Sequence, residues 1–339
     1  MKNPHLPVSC VNPFVGLIGV ISFFIALIAM KHYALLGSIE SVLFLYAAYI
    51  IPIIIIENVF LKNYKNSSCG LDFREAQPIN FGRIALKLLG MGGTLFLILF
   101  AYSLFSEYYG QFYFRFWSFL KTLAPYFFIG VIPYFVIIDR YMTKPDDGYV
   151  QAGRFFILNW GEIDREVLHQ HFLGWLVKAF FIPLMFTAFL EDVLHFQSLD
   201  LGFITTNFQS MYDFIRSNIF LIDTLICSVG YLLTLRLFDS HIRSTEPTAF
   251  GWIIAIICYE PFWSFLSLYY FNYASSEINW EKWLQGSFWY PLWGSAILIL
   301  LGIYVAATII FGLRFSNLTH RGIITNGPYR WSKHPAYIC

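Results

Sequence analysis

Eight uninterrupted apolar stretches, each near the roughly 20 residues that cross a bilayer, occupy most of this chain: 11–30, 41–60, 84–104, 117–138, 172–190, 218–237, 250–270 and 290–311. Runs of this kind have one stable solution in hydrocarbon. Every backbone N–H and C=O must be satisfied there, which a helix does within its own segment, whereas a closed barrel would show stretches of about ten residues with alternating polarity. The sequence therefore predicts an all-α, polytopic integral membrane helix bundle of about eight transmembrane helices, with 1–311 as one multi-span domain. Composition agrees: 58% of the 339 residues are hydrophobic and 13% charged, against roughly 25% charged in a soluble domain. A formal net charge of +1 gives no bias toward nucleic acid as a partner.

Lysine and arginine set the orientation, because cytoplasmic loops carry the excess of positive charge. Of the 22, Lys87, Lys121 and Lys178 fall inside spans, and Lys31, Arg115, Arg216 and Lys282 on one side. The remaining fifteen, from Lys2 to Lys333, fall on the other. Both termini are thus expected on the cytoplasmic side, with connections at 61–83, 139–171 and 238–249 facing the same way. The second of these holds Lys144-Pro-Asp-Asp-Gly148, a turn signal, and a stretch around Trp160, Arg165 and Leu168 that reads as an ordinary loop or as a helix lying along the interface.

Ionisable residues inside spans are functional candidates by default. Glu57, Lys87 and Lys178 sit toward cytoplasmic ends and Lys121 and Asp223 toward outer ends, where snorkelling or local pairing accounts for them. Glu260 is different. It lies near the middle of 250–270 and is followed by Pro261, which frees a carbonyl and kinks a helix, so it is a candidate for a substrate cavity or for a hydrogen bond between spans. No metal is expected: His169-Gln-His171 is the one close histidine pair, and residues two apart do not share a helix face. The five cysteines show no CxxC spacing, and no GxSxG, HExxH or P-loop is present. Gly90-Met-Gly-Gly93 lacks the spacing of a dinucleotide loop and falls inside a span.

The polar tail carries the chemistry. Asn326-Gly-Pro328 is a turn signature, and around it stand Tyr329, Arg330, Lys333, His334 and Tyr337, able to hold a carboxylate, stack on a ring and donate or accept a proton. Aromatic and basic residues after a span are also ordinary interface anchors. Their order is more specific: Gly327, Pro328, Tyr329, Arg330, His334, Pro335 and Tyr337 resemble the cofactor-binding segment of the isoprenylcysteine carboxyl methyltransferase family, and Arg314, His320 and Gly322 are of the kind found upstream of it.

That resemblance implies S-adenosylmethionine as cofactor, with Gly327, Pro328, Tyr329, His334, Pro335 and Tyr337 as its contacts. It implies methylation of a carboxylate on a lipidic small molecule or prenylated acceptor, with membrane lipids as surroundings. It covers 314–337 and stops two residues before Cys339, where family members continue into further helices, so 312–339 reads as the start of a cofactor-binding segment, truncated. Arg330, together with Arg243 of the 238–249 connection, is the candidate for positioning the acceptor carboxylate. A related HPxY ending in membrane sterol reductases makes an NADPH-linked reductase the alternative, and a non-catalytic transporter or structural protein the third reading.

Overall fold

The computed structural model describes residues 7–204, 206–271 and 279–339, apart from the side chains of Phe203, Phe271 and Tyr337; Lys2 lies outside them. The first four long helices are α1 (Pro13–His32), α2 (Ile39–Ile55, continued by a π turn, Ile56–Phe60), α3 (Phe81–Leu104) and α4 (Phe114–Asp139). The short α5 (Gly148–Phe156), α6 (Arg165–Ser198) and α7 (Phe208–Leu232) follow. Then come β1 (Ser244–Thr245), the short helices α8 (Ala249–Ile256), α9 (Phe262–Leu266) and α10 (Trp280–Leu284), the long α11 (Trp289–Phe311) and β2 (Thr319–His320). Among the described residues seven helices are long and apolar enough to cross a membrane. The protein is a multi-pass integral membrane helix bundle.

Local chemistry starts these helices where it should. An exposed first turn leaves N–H groups without intrahelical partners, and a short polar side chain just outside satisfies one or two of them. Asn12 accepts from Phe14 N with Pro13 opening α1, Ser38 accepts from Ser41 N, Asn80 from Arg83 N, Asp164 from Glu166 and Val167 N, and Asn207 from Ser210 N. At the other end of α6, Lys31 of α1 donates to the carbonyls of Phe196, Gln197 and Leu199 at 2.7–3.0 Å, placing a cation on the negative end of that helix.

The expected span at 250–270 is the one that is not a continuous helix. It is divided into α8, a turn around Glu260-Pro261, α9 and a π turn at 267–271, because proline removes an N–H and crowds the carbonyl four residues back. β1 pairs antiparallel with β2, Ser244 opposite His320, so 244–245 lies on the tail side. Phe208, at the start of α7, meets Tyr290, at the start of α11, with ring centroids 5.6 Å apart, so those helix ends lie on the opposite side. On the tail side Cys10 N donates to Ile323 O at 2.9 Å.

Residues 139–171 also differ from expectation. The helix within this connection is α5, capped by Asp147 through Tyr149 N and Val150 N, while Arg165 and Leu168 belong to the first turn of α6. α5 is packed against α3 instead of lying free on the interface. Glycine makes this possible: a Cβ at Gly90 would stand 2.0 Å from Tyr149 O, and one at Gly153 would stand 2.2 Å from Leu86 O. Small residues let backbones approach where lipid supplies no hydrophobic drive. Gly16 does the same for α1 on α11, 2.0 Å from Ile309 O. The core between α1, α2, α6 and α7 is aromatic, with Tyr46 stacked on Phe189 and its hydroxyl donating to Ser228 Oγ at 3.0 Å.

Replacing Gly153 with Val should lower the thermal midpoint in detergent, by an amount corresponding to about 1–3 kcal/mol of overpacking. Gly92→Val, where nothing lies within 4 Å of the added atom, should leave the midpoint within error. Equal effects at both sites would contradict the close α3–α5 approach.

Candidate functional site

The three connections on the tail side are knit into one layer. Asp72 N donates to Tyr141 O and Thr143 N to Gly70 O, Arg236 reaches Cys69 O at 3.3 Å, and Ser68 donates to Asp239 Oδ2 at 2.7 Å. Beneath this layer a cavity of about 550 Å³ opens between α3, α4, α5, α6 and the α7–β1 connection. Its apolar end is lined by Tyr126, Phe127, Gly130 and Val131 of α4, and its tail-side end by charged groups.

Those charges divide into two walls. On one, Asp139 is fully buried and receives Arg83 through both Nε and Nη2, at 2.7–3.1 Å, and Lys87 Nζ at 2.9 Å. Lys87 also lies 3.5 Å from Asp147, whose carboxylate caps α5. Burial pushes the Asp147 carboxyl up, against the opposing pull of Lys87. Unpaired charges in such surroundings would be costly, and this wall is internally neutralised.

The second wall holds Lys178 of α6 with Arg236, His241 and Arg243 of the α7–β1 connection. Lys178 is 8% exposed and lies 4.3 Å over the Trp175 ring; among the described residues no carboxylate lies within 4 Å of its ammonium. Arg243 donates to Asp239 Oδ1 at 3.0 Å. Arg243 Nε and His241 Nδ1 are buried without a hydrogen-bond partner.

Lys87 follows the expectation of local pairing, whereas Lys178 faces the open cavity and, among the described residues, has no carboxylate within 4 Å. Asp223 lies deeper than expected: α7 begins ten residues earlier than the apolar run, and Asp223 accepts from Thr308, near the tail-side end of α11, at 3.0 Å. Glu260 is exposed and does not line the cavity; its Oε2 accepts from Ser264 N at 3.3 Å.

The tail runs along the same face. Gly322 (φ +137°) leaves space for Cys10, and Gly327 (φ +55°) for Ile310, whose Cδ1 would lie 2.2 Å from a Cβ there. Only glycine takes such φ values without strain while also admitting that contact. Gly327–Arg330 then forms a 3-10 turn, as the Asn-Gly-Pro signature predicts, and Pro335–Tyr337 a second one. Tyr329 meets Phe311 at the end of α11 with centroids 5.4 Å apart, and Asn326 Nδ2 donates to Val11 O at 2.7 Å. Pro328 is half-buried, Pro335 is buried, and Arg330 and His334 are exposed. The Tyr337 side chain lies outside the described residues. Arg243 lines the cavity and Arg330 does not; Arg243 N donates to His320 O, at the start of the tail, at 3.0 Å.

The sequence reading passed over the cavity. The signal was Lys87 and Lys178 at matching depth in different spans, with Asp139 closing a third, but pairing across helices is tertiary information. Comparison with protein-family models, curated proteins and solved structures finds no match to this chain. Among the described residues no group of three or more His, Cys, Asp or Glu side chains is placed to hold a metal ion.

Burial, reinforced by Arg236, lowers the His241 imidazole from 6.5 to about 3. The unfolded chain therefore binds a proton there between those values and the folded protein does not, so stability present above pH 6.5 is lost as pH falls toward 3. His241→Gln should show a shallower loss of thermal midpoint than the parent protein over this window; parallel curves would remove His241 as its source.

Proposed function

We propose that this protein is a membrane-embedded S-adenosylmethionine-dependent methyltransferase of the isoprenylcysteine carboxyl methyltransferase type, acting on a carboxylate of a lipidic acceptor. One observation carries the reading: the order Gly327-Pro-Tyr-Arg330 and His334-Pro335-x-Tyr337 coincides with two glycine- and proline-fixed turns, the first anchored on the end of α11 by Tyr329. The acceptor chemistry also fits a chain with an open cavity that has an apolar end.

The residues suit such a cofactor. Among the described residues Asn326 Oδ1 is buried without a partner and offers an acceptor to an amino group. Gly327, Pro328, Tyr329, His334, Pro335 and Tyr337 would line its contact surface, and a ring at Tyr329 packs favourably on a cationic or aromatic group. When bound, S-adenosylmethionine supplies a methyl group on a positively charged sulfonium.

An α-carboxyl with pKa near 3.5 is already ionised at pH 7. No general base is needed, and the protein's share of the work is positioning and exclusion of water. Arg330 and Arg243 are the candidates for orienting the acceptor carboxylate, one from the turn and one from the cavity wall. Glu260 has no part in this reading.

The test is binding of labelled S-adenosylmethionine and of labelled NADPH to the detergent-purified protein. Saturable binding of the first and not the second is expected, and in a methyl-transfer assay Arg330→Ala should lower the rate on the order of tenfold through the acceptor, the loss of about one charge-assisted hydrogen bond. Binding of NADPH instead would favour a reductase, and binding of neither would end the cofactor assignment.

A further inference from the structure

Lys178 poses a physical problem that the tail does not address. An ammonium with little access to water is accommodated best when it is paired or hydrogen-bonded, yet this one, 8% exposed, has an aromatic face and no carboxylate within 4 Å among the described residues. It projects into the cavity from α6. One turn earlier on the same face, Gly174 packs against Ile242 and Thr245, with contacts of 3.5 and 3.6 Å to the position of a Cβ. That contact seats the segment carrying His241 and Arg243 beside Lys178, since residues four apart on a helix share a face. Both of those side chains line the cavity with a buried nitrogen that lacks a partner.

The acids of the cavity do not meet this need. Asp139 is matched by Arg83 and Lys87, Asp147 by Lys87 and two backbone N–H groups, and Glu166 is exposed. On the second wall Asp239 meets one nitrogen of Arg243, which leaves Arg243 Nε, His241 Nδ1 and the Lys178 ammonium without an anionic partner among the described residues. Two cations and an imidazole suit a group with nearly two negative charges and three acceptor oxygens, which describes a phosphate monoester at neutral pH. From these donors the cavity runs toward Tyr126, Phe127, Gly130 and Val131. Tyr126 and Phe127 are exposed on the membrane-facing side of α4, and nothing lies within 4 Å of where a Cβ at Gly130 would be.

We propose that the cavity between α3, α4, α5 and α6 binds the phosphomonoester headgroup of a membrane lipid, held by Lys178, Arg243 and His241, with its apolar chain lying along the Gly130 face of α4. The site lies apart from the turns at 327–337 but shares Arg243 and the cavity with the acceptor position of the proposed methyl transfer; binding measured without a methyl donor reads it independently of that reaction.

The full chain, purified in dodecyl maltoside at pH 7.5, is titrated with labelled dioleoyl phosphatidic acid in mixed micelles, with competitors. Saturable binding of one lipid per chain is expected, unaffected by dioleoylglycerol, which keeps the chains without the headgroup, and by inorganic phosphate, which keeps the headgroup without chains. Lys178→Met removes the unpaired cation, and Gly130→Leu adds a side chain to the cavity's apolar end at a position where nothing lies within 4 Å of a Cβ; each should weaken binding tenfold or more. Equal competition by dioleoylglycerol would reduce the site to ordinary lipid contact, and equal competition by inorganic phosphate would remove the chain from the proposal. Oleate binding as tightly as phosphatidic acid would overturn the phosphate class. Should Lys178→Met fail to elute as folded protein, unchanged affinity in Gly130→Leu alone would overturn the assignment.

Discussion

Two buried arginines after α11 hold this structure's tail-side face together. Arg314 donates to Glu57 Oε1 at 2.7 Å and to the carbonyls of Asp239 and Phe238 at 3.1 Å, with both charged partners at most 3% exposed. Arg321 is buried among the carbonyls of Gly230, Leu233, Phe315 and Ser240 at 2.6–3.4 Å. A guanidinium has five donors in a fixed fork and stays charged, so it can gather carbonyls from separate segments where an ammonium could not. Gly230 and Leu233 carry the last free carbonyls of α7, the negative end of that helix, where a cation is favoured. The path of the tail, and hence of β2 and the turn at 327–330, is dictated by these two side chains.

Glu57 meets Arg314 because α2 does not end as a regular helix. Pro52 interrupts its hydrogen bonding, and the following residues widen into the π turn Ile56–Phe60. Such turns rotate the residues beyond them relative to an ideal helix and recur where a side chain must be re-aimed. A carboxylate placed by sequence at the end of an apolar run reads as a snorkelling group. In the folded chain it is 3% exposed and neutralises a cation 257 residues away.

How far the sequence could be read follows from the range of each interaction. Apolar runs and Asn, Ser and Asp caps are local, and they located seven continuous helices to within a few residues at most ends; α7 began ten residues early because 208–217 alternates polar and apolar residues and falls outside any hydropathy run. The division of the 250–270 span was signalled by Pro261, although the break itself depends on what packs around it. α5 was not visible: nine residues with two glycines carry little helical preference, and its place is fixed by Gly90 and Gly93 on α3, which looked like features of a lone span. The turn at 327–330 was legible from Asn-Gly-Pro, while its seat on Ile310 and Phe311 was not.

The charged cavity shows the same limit from the other direction. Lys87 and Lys178 are single basic residues in otherwise apolar runs, and sequence alone gives them the same explanation. Their fates separate only when α4 brings Asp139 to one and Trp175 underlies the other. Arg243 sits at the junction of the two halves: its side chain enters the cavity wall and bonds Asp239, itself held by Ser68, while its backbone is hydrogen-bonded to His320 at the start of the tail. The two-residue β1–β2 pairing thus fixes the backbone of the cavity's basic wall to the first residues of the tail.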